Sequence, residues 1–251
     1  ALPSPVWCQA YLNQIGYTAL QVELGAAIPD GTGVSISQVE AGSNYAPNQN
    51  NPEFAGKSFR VVGTSGVSGH ATSVGLNLFG LSGIAGGVTD IDVYSADKYL
   101  RADQLRFGLG SHPLTETQDI QNHSWITNSM GSISSDQQAL RRLDYLINRD
   151  DVTVIAALNN GSATTVPAIL ANSFNSIIVG LTNGLHSTGQ TTVDSPFRQV
   201  PHIVAPNDFT SFASPMVSAG AALLLDASRR DANLNLADRN EVVRSLLLAG
   251  A

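Results

Sequence analysis

The sequence predicts an α/β protein in which a mainly parallel central sheet lies between layers of helices, around one buried central helix. Two observations lead to this prediction. Strand-like runs alternate with helical stretches, and strands separated by helices form parallel sheets covered on both faces. The stretch from Ser211 to Leu225 carries no charge before Asp226, and a helix without a charged face is normally buried.

Seven segments have the apolar alternation or the apolar runs of strands. They are Val34–Glu40, Phe59–Gly63, Ile91–Ser95, Asp119–Ser124, Val152–Leu158, Ser176–Leu181 and His202–Ala205. The pattern of Asp136–Arg149 predicts an amphipathic helix with Ser134 or Ser135 as its N-cap. Asp238, with Glu241 three residues later, is predicted to cap the last helix, which is expected to end at Gly250. Because neither a repeat nor a linker interrupts the pattern, we predict one domain over residues 1–251, with an N-terminal arm over about 1–30.

The composition excludes several classes of protein. Charged residues make up only 13% of the chain and the net charge is −7, which argues against nucleic acid or an anionic membrane as a partner. No uninterrupted apolar run reaches the roughly 18 residues of a membrane span. The single cysteine, Cys8, excludes an intrachain disulfide and a cysteine-based zinc cluster.

The central helix is predicted to begin at a serine. Ser211 precedes the uncharged stretch, and Pro215 is expected in the first helical turn, where a missing N–H costs least. Free N–H groups and the helix dipole favour negative charge at this end of a helix. Ser211 is therefore well placed as a nucleophile whose reaction creates an oxyanion, although a serine N-cap on a core helix would look the same.

Two further segments favour the nucleophile. Gly69-His70-Ala71-Thr72-Ser73-Val74-Gly75 places a histidine at the start of a second apolar helix. The strand Val34–Glu40 ends in a carboxylate. Acid, histidine and serine thus each lie where a regular element meets a loop, which is typical of nucleophilic catalysis by serine.

These motifs resemble those of the subtilisin-like serine proteases, the subtilases, in residue type and in chain order. Residues 210–215 match Gly-Thr-Ser-x-Ala-Ser-Pro from its second position onward, and His70, Thr72 and Val74 match part of His-Gly-Thr-x-Val-x-Gly. A further segment, residues 156–161, is similar to Ala-Ala-Gly-Asn-x-Gly. The resemblance runs from Gly33 to the final helix. It implies a subtilisin-like three-layer α/β/α fold and a single peptidase-type catalytic domain.

The resemblance also implies a role for each motif residue. Ser211 would attack the substrate, His70 would accept and return the proton, and Glu40 would orient the imidazole. The Ser211 N–H and the Asn159 side chain would bind the oxyanion. No metal or organic cofactor takes part in this scheme.

Two departures from the subtilase pattern bear on activity. Glu40 stands where the family has aspartate; the proton chemistry survives, but one extra methylene moves the carboxylate, and errors near 1 Å can cost about 10²-fold. Sedolisins also carry a glutamate, but theirs replaces the histidine, which is present here as His70. Phe209 stands where the family has a glycine just before the nucleophile motif, which implies a changed approach to Ser211.

The segments that form the walls of the S1 pocket in the family are also altered here. They are Ser124-Trp125-Ile126-Thr127 and Ala156-Ala157-Leu158. Ile126, Thr127 and Leu158 replace glycines, so we predict a shallow S1 pocket that accepts Ala, Gly or Ser. The alternative is that backbone shifts reopen the pocket.

Metal binding is left unassigned. The family's calcium loop after the histidine helix is missing, and calcium elsewhere is allowed but has no assignable residues. Asp90 and Asp92 are interpreted as exposed carboxylates at the start of a strand.

Three functions remain open. The first is a serine endopeptidase that acts on polypeptides. Its partners would be the polypeptide substrate and an N-terminal pro-segment of the chain itself. The second is a pseudoprotease that binds a peptide or protein, favoured by Glu40, Phe209 and the crowded S1 pocket. The third is an acyl transferase. The chain begins at Ala1 without Met, as a trimmed product would, and subtilases are commonly exported, so a secreted or extracytoplasmic location is expected.

Overall fold

A computed structural model describes residues 6–194 and 198–250, with side chains from residue 10 onward in those ranges. The central sheet has seven parallel strands in the order β2-β3-β1-β4-β5-β6-β9. These strands are β1 (Ser35–Glu40), β2 (Ser58–Val61), β3 (Asp90–Ser95), β4 (Ile120–His123), β5 (Thr153–Ala157), β6 (Ile177–Leu181) and β9 (Ile203–Ala205). A separate antiparallel pair joins β7 (Gly189–Gln190) to β8 (Gln199–Val200). The predicted parallel sheet is confirmed, and all seven predicted strands are present within about two residues.

Helices cover both faces of the sheet. In chain order they are α1 (Val6–Gln14), α2 (Tyr17–Leu24), α3 (Gly69–Phe79), α4 (Ala96–Arg101), α5 (Ile133–Asp150), α6 (Thr210–Arg230) and α7 (Asn240–Ala249). One hydrophobic cluster joins α3, α6 and α7 to one face of the sheet, and a second joins α4 and α5 to the other. The predicted three-layer α/β/α architecture and the buried central helix, α6, are therefore confirmed.

Side chains of each strand alternate between the two faces, as the period of a strand requires. In β1, Ile36 packs in the cluster of α3 and α6, whereas Val39 packs in the cluster of α4 and α5. Gln38 and Glu40 share the face of Ile36. Because α3 lies over this face, the last residue of β1 points towards the first turn of α3.

The caps of two helices differ from those that the sequence predicted. Ser132, not Ser134 or Ser135, caps α5 by accepting from the Ser135 N–H at 3.2 Å. Asp238 does not cap α7; instead the Asn240 N–H donates to Asp151 Oδ1 at 2.9 Å, so a distant carboxylate caps the helix. In both cases the sequence contains several capping residues within reach, and only the tertiary path of the chain selects one.

Asp92 is also not the exposed carboxylate that the sequence indicated. Its side chain is 1% exposed and accepts a hydrogen bond from Arg60 Nε at 2.7 Å, with a second contact from the same guanidinium. Asp90, two residues earlier, is exposed. The described residues contain no group of three or more His, Cys, Asp or Glu side chains that could hold a metal ion. Nor does any helix in the described ranges have the length and apolarity to cross a membrane.

Candidate active site

The site begins with a buried carboxylate at the end of β1. Glu40 is 2% exposed, and its Oε2 lies 2.8 Å from His70 Nδ1 at the start of α3. Its other oxygen, Oε1, accepts from Gln38 Nε2 at 2.9 Å, and that amide also donates to Ala71 O at 2.8 Å. Gln38 therefore ties β1 to α3 beside the acid and holds the longer glutamate side chain in one position.

The contact changes the proton affinity of the imidazole. The hydrogen bond that His70 donates to Glu40 raises the pKa of His70 above its ordinary value, while partial burial opposes the rise. Burial also raises the pKa of Glu40, and the hydrogen bonds from His70 and Gln38 counteract it. His70 is accordingly a stronger base than a free histidine, and its positive form is stabilised when it takes a proton.

Ser211 is the second residue of α6, so its N–H has no acceptor within the helix. Pro215 lies in the second turn of α6. The sequence had placed it in the first turn, so that prediction was wrong. Since a proline has no N–H, it leaves the carbonyl of Ser211 without its usual helical donor. Ser124 Oγ fills this position and donates to Ser211 O at 2.8 Å. Pro215 and Ser124 together fix the backbone of Ser211.

Ser124 is held in turn by a polar ladder between β4 and α6. Asn122 Nδ2 donates to Ser124 Oγ at 2.9 Å, and Ser218 Oγ donates to Asn122 Oδ1 at 2.9 Å. Ser124 and Ser214 hydroxyls lie 3.2 Å apart. All four side chains are buried, so each must find a partner. The ladder keeps the start of α6 in register with the end of β4.

Asn159 follows β5 and faces the same cavity as Ser211. Its backbone is fixed on both sides by Ser187, through Asn159 N to Ser187 Oγ at 3.3 Å and Ser187 N to Asn159 O at 2.9 Å. Within the described residues, the Asn159 side-chain amide makes no hydrogen bond. An amide side chain carries two N–H donors, so Asn159 offers donors to a molecule bound in the cavity that Ser211 also lines.

The neighbouring Asn160 and Thr210 were not singled out from the sequence. Asn160 Oδ1 accepts from the Thr210 N–H at 2.9 Å and from Thr210 Oγ1 at 3.0 Å. Thr210 Oγ1 also donates to Leu158 O at 2.6 Å. These bonds join the end of β5 to the first residue of α6. The paired asparagines in the motif were the available signal, but the sequence does not show which amide is satisfied internally.

The His70 ring also contacts an aromatic side chain. The Phe212 ring lies 5.3 Å from His70 between centroids, at an interplanar angle of 31°. Among the described atoms, no hydrogen bond joins Ser211 Oγ to His70, although both residues line the cavity. Catalytic hydrogen bonds are often longer without substrate and shorten when it binds.

The cavity beside Ser211 measures about 150 Å³. Its lining includes His70, Asn159, Asn160, Thr210 and Ser211, together with Ser124, Trp125, Ile126, Ala157 and Leu158. Five of the seven residues expected in the walls therefore lie in the lining, whereas Thr127 and Ala156 do not. Ala156 is fully buried in β5 and lies behind it. The small volume agrees with the bulk of Ile126 and Leu158 at this position.

Trp125, in one wall, is fixed from behind by a buried histidine. Trp125 Nε1 donates to His123 Nδ1 at 3.0 Å, and His123 Nε2 lies 3.2 Å from Gln121 Oε1. Tyr99 OH donates to the same Gln121 oxygen at 2.7 Å. His123 is fully buried, and burial lowers its pKa to about 3, so the ring is neutral. The sequence did not predict that His123 would support this wall.

No protein-family model matches the sequence, and no curated protein matches it. Several solved structures share its fold. The prenylagaramide maturation protease PagA has a TM-score of 0.56 and 18% identity, over 86% of this chain and 81% of that chain. Pseudomonas sedolisin, a serine-carboxyl proteinase, has a TM-score of 0.58 and 13% identity, over 88% and 82%.

Fervidolysin from Fervidobacterium pennivorans, a keratinolytic enzyme related to subtilisin, is similar over 88% of this chain but only 40% of its own. Its TM-score is 0.54 and its identity 16%. At such identities the comparison establishes the fold alone. The chain has the α/β/α fold of subtilisin-like proteases.

Proposed function

We propose that this chain, with its subtilisin-like fold, is a serine endopeptidase that hydrolyses peptide bonds by acyl transfer through Ser211. The observation that carries the proposal is the 2.8 Å contact between Glu40 Oε2 and His70 Nδ1, at the mouth of a cavity that Ser211 also lines. A buried acid that orients a histidine beside a serine at a helix start is the arrangement that nucleophilic catalysis needs. No step requires a metal or an organic cofactor.

The reaction would proceed in two acyl transfers. His70 Nε2 takes the proton of Ser211 Oγ as the oxygen attacks the peptide carbonyl, since Nδ1 is occupied by Glu40. The Ser211 N–H and the Asn159 amide stabilise the oxyanion. His70 then gives its proton to the leaving amine, and water repeats the sequence on the acyl-enzyme. Glu40 stays ionised and stabilises the imidazolium.

Two alternatives have support from particular residues. A catalytically impaired pseudoprotease that binds a peptide or protein partner is favoured by the absent Ser211–His70 hydrogen bond among the described atoms. An acyl transferase is favoured by the Phe212 ring against His70, because apolar surface beside the imidazole would hinder the approach of water to an acyl-enzyme. The partner in the favoured function is a polypeptide, including the chain's own pro-segment, and the proposed location is secreted or extracytoplasmic.

Labelling with a fluorophosphonate probe tests the nucleophile directly. We expect one adduct, on Ser211, because only a serine activated by a base reacts at a useful rate. Ser211→Ala should remove the adduct, and His70→Ala should reduce it to background. Mass spectrometry of the digested protein locates the adduct, and the exposed Ser134→Ala provides a matched serine control. An unlabelled but folded wild-type protein would favour the pseudoprotease.

The cavity size predicts which residue precedes the scissile bond. Because the cavity is about 150 Å³ and Leu158 forms part of it, we expect cleavage of a peptide library after Ala, Gly or Ser. Leu158→Gly should shift this preference towards Leu or Phe by about tenfold or more in relative kcat/KM. A wild-type preference for Phe or Leu would show that the pocket is open elsewhere.

A further inference from the structure

Two aromatic rings extend from the catalytic histidine towards solvent. Phe212, directly after Ser211, lies against His70, and the Phe209 ring meets Phe212 edge to face at 5.9 Å and 86°. Phe209 is 50% exposed. Neither ring belongs to the hydrophobic clusters that the described residues form. These two side chains, which we call the aromatic step, present apolar surface that the fold itself does not bury.

The backbone does not explain the phenylalanine at position 209. Its φ and ψ are −135° and 143°, ordinary extended values that any residue adopts. A glycine is therefore not needed here, and a small polar residue would serve equally well in the backbone. Phe209 and Phe212 instead form contiguous apolar surface next to Ser211, and contiguous apolar surface beside a cleft is typical of a binding site.

The position of the aromatic step defines what it can touch. His70 Nδ1 is engaged by Glu40, so the leaving amine must approach Nε2 and lie against the imidazole. Phe212 is the described ring in contact with that imidazole, and neither Phe212 nor Phe209 lines the cavity on the acyl side of Ser211. The residue that follows the scissile bond thus meets the aromatic step.

Resting on the proposed function, we propose that Phe209 and Phe212 form the binding site for the first residue on the leaving-group side, and that this site selects apolar or aromatic side chains. Such a side chain removes the exposed Phe209 face from water and gains aromatic contact. The substrate class is then a polypeptide with a small residue before the scissile bond and an apolar one after it.

Competition between amines for one acyl-enzyme tests the site separately from the acyl half. With N-acetyl-alanine p-nitrophenyl ester, Ser211 Oγ forms the acyl ester and nitrophenol leaves with the proton carried by His70. An added amine attacks the acyl carbon and gives its proton to His70, which returns it to Oγ as the C–O bond breaks. An amine enters by the route along which the peptide amine leaves, so its preference reports the leaving-group site.

The measured quantity is the ratio of aminolysis to hydrolysis products, with the reaction of Ser211→Ala subtracted. We expect phenylalanine amide and leucine amide to exceed glycine amide by about tenfold in wild type. Phe209→Ser should reduce this preference by about fivefold, and Phe209→Leu should retain most of it for leucine amide. The matched control, Leu236→Ser, alters a 68% exposed leucine after α6 and should change nothing.

The outcomes separate the two proposals. An acyl-enzyme that forms but partitions equally among the three amides overturns the leaving-group site and leaves the endopeptidase intact. An unchanged preference in Phe209→Ser, or an equal loss in Leu236→Ser, also overturns it. If the ester never acylates folded wild-type protein, the proposed function fails and the leaving-group site fails with it. The nitrophenol burst is measured for each variant, so that a change in acylation is separated from a change in the choice of amine.

Discussion

Glu40→Gln is expected to lower kcat/KM by about 10⁴ while leaving the fold intact. Gln38 Nε2 donates to Oε1 of residue 40, so the substituted amide would keep its oxygen there and turn its NH₂ towards His70 Nδ1. Nδ1 must then accept, which places the imidazole proton on Nε2, where it blocks removal of the Ser211 proton. Measuring kcat/KM for peptide hydrolysis by wild type and Glu40→Gln, over the pH range in which His70 titrates, tests this prediction. In wild type, the activity should decrease as the pH is lowered, because protonated His70 cannot act as the base. The midpoint of this decrease should lie above pH 6.5, the ordinary pKa of histidine, because Glu40 raises the pKa of His70.

Two further variants define the role of the acid. Glu40→Asp should lower kcat/KM by about 10²-fold, because a side chain shorter by one methylene withdraws the carboxylate from both His70 and Gln38. Asp97→Asn is a matched control, since Asp97 is 77% exposed in a surface ion pair, and it should leave kcat/KM unchanged. If Glu40→Ala retained the wild-type kcat/KM, Glu40 would have no part in the reaction.

Acidification is expected to destabilise the fold well before most carboxylates are protonated. Burial lowers the pKa of His123 to about 3, so between about pH 6.5 and pH 3 the unfolded chain binds a proton that the folded chain does not. Stability therefore falls as the pH falls through this window, by up to about 1.4 kcal/mol per pH unit for one such group. His202, whose pKa burial lowers to about 4, acts in the same direction. Glu40 acts in the opposite direction, because its pKa is raised.

Urea unfolding at several pH values measures this dependence. His123→Gln removes the proton-binding group while its amide can still accept from Trp125 Nε1, so its stability should depend less steeply on pH. The exposed His112→Gln is the matched control and should keep the wild-type slope. Trp125 forms part of the cavity wall, so His123→Gln should also raise KM more than it lowers kcat. Equal pH slopes in wild type and His123→Gln would contradict the prediction.

The sequence predicted the sheet and the order of the site residues because both depend on local patterns. The alternation in Val34–Glu40 placed Glu40 at the end of a strand, and the uncharged stretch after Ser211 predicted the central helix. The positions of Glu40, His70 and Ser211 at neighbouring carboxyl ends of strands and amino ends of helices then follow from the parallel topology.

Features that depend on tertiary contacts could not be predicted from the sequence. Whether Ser132 or a neighbouring serine caps α5 depends on the path of the preceding loop. The burial of Asp92 depends on Arg60, which comes from another strand. Pro215 was placed one turn too early because α6 begins at Thr210. The Thr210 N–H, the first free N–H of the helix, donates to the distant Asn160 side chain and not to a local one, so the sequence near Ser211 did not show where the helix starts.

The strand order also determines when the active site can exist during folding. β1, which carries Glu40, lies between β3 and β4; Ser35 pairs with Asp90, and Ile36 pairs with Ile120. Each pairing closes a long loop, so its entropic cost must be met before the contacts stabilise the chain, and parallel sheets of this kind form slowly. Ser211 joins Glu40 and His70 only when α6, which follows all seven strands of the sheet in the chain, packs on β4, β5 and β6. The three side chains therefore come together only in the complete long-range topology, because each of them lies in a different element of it.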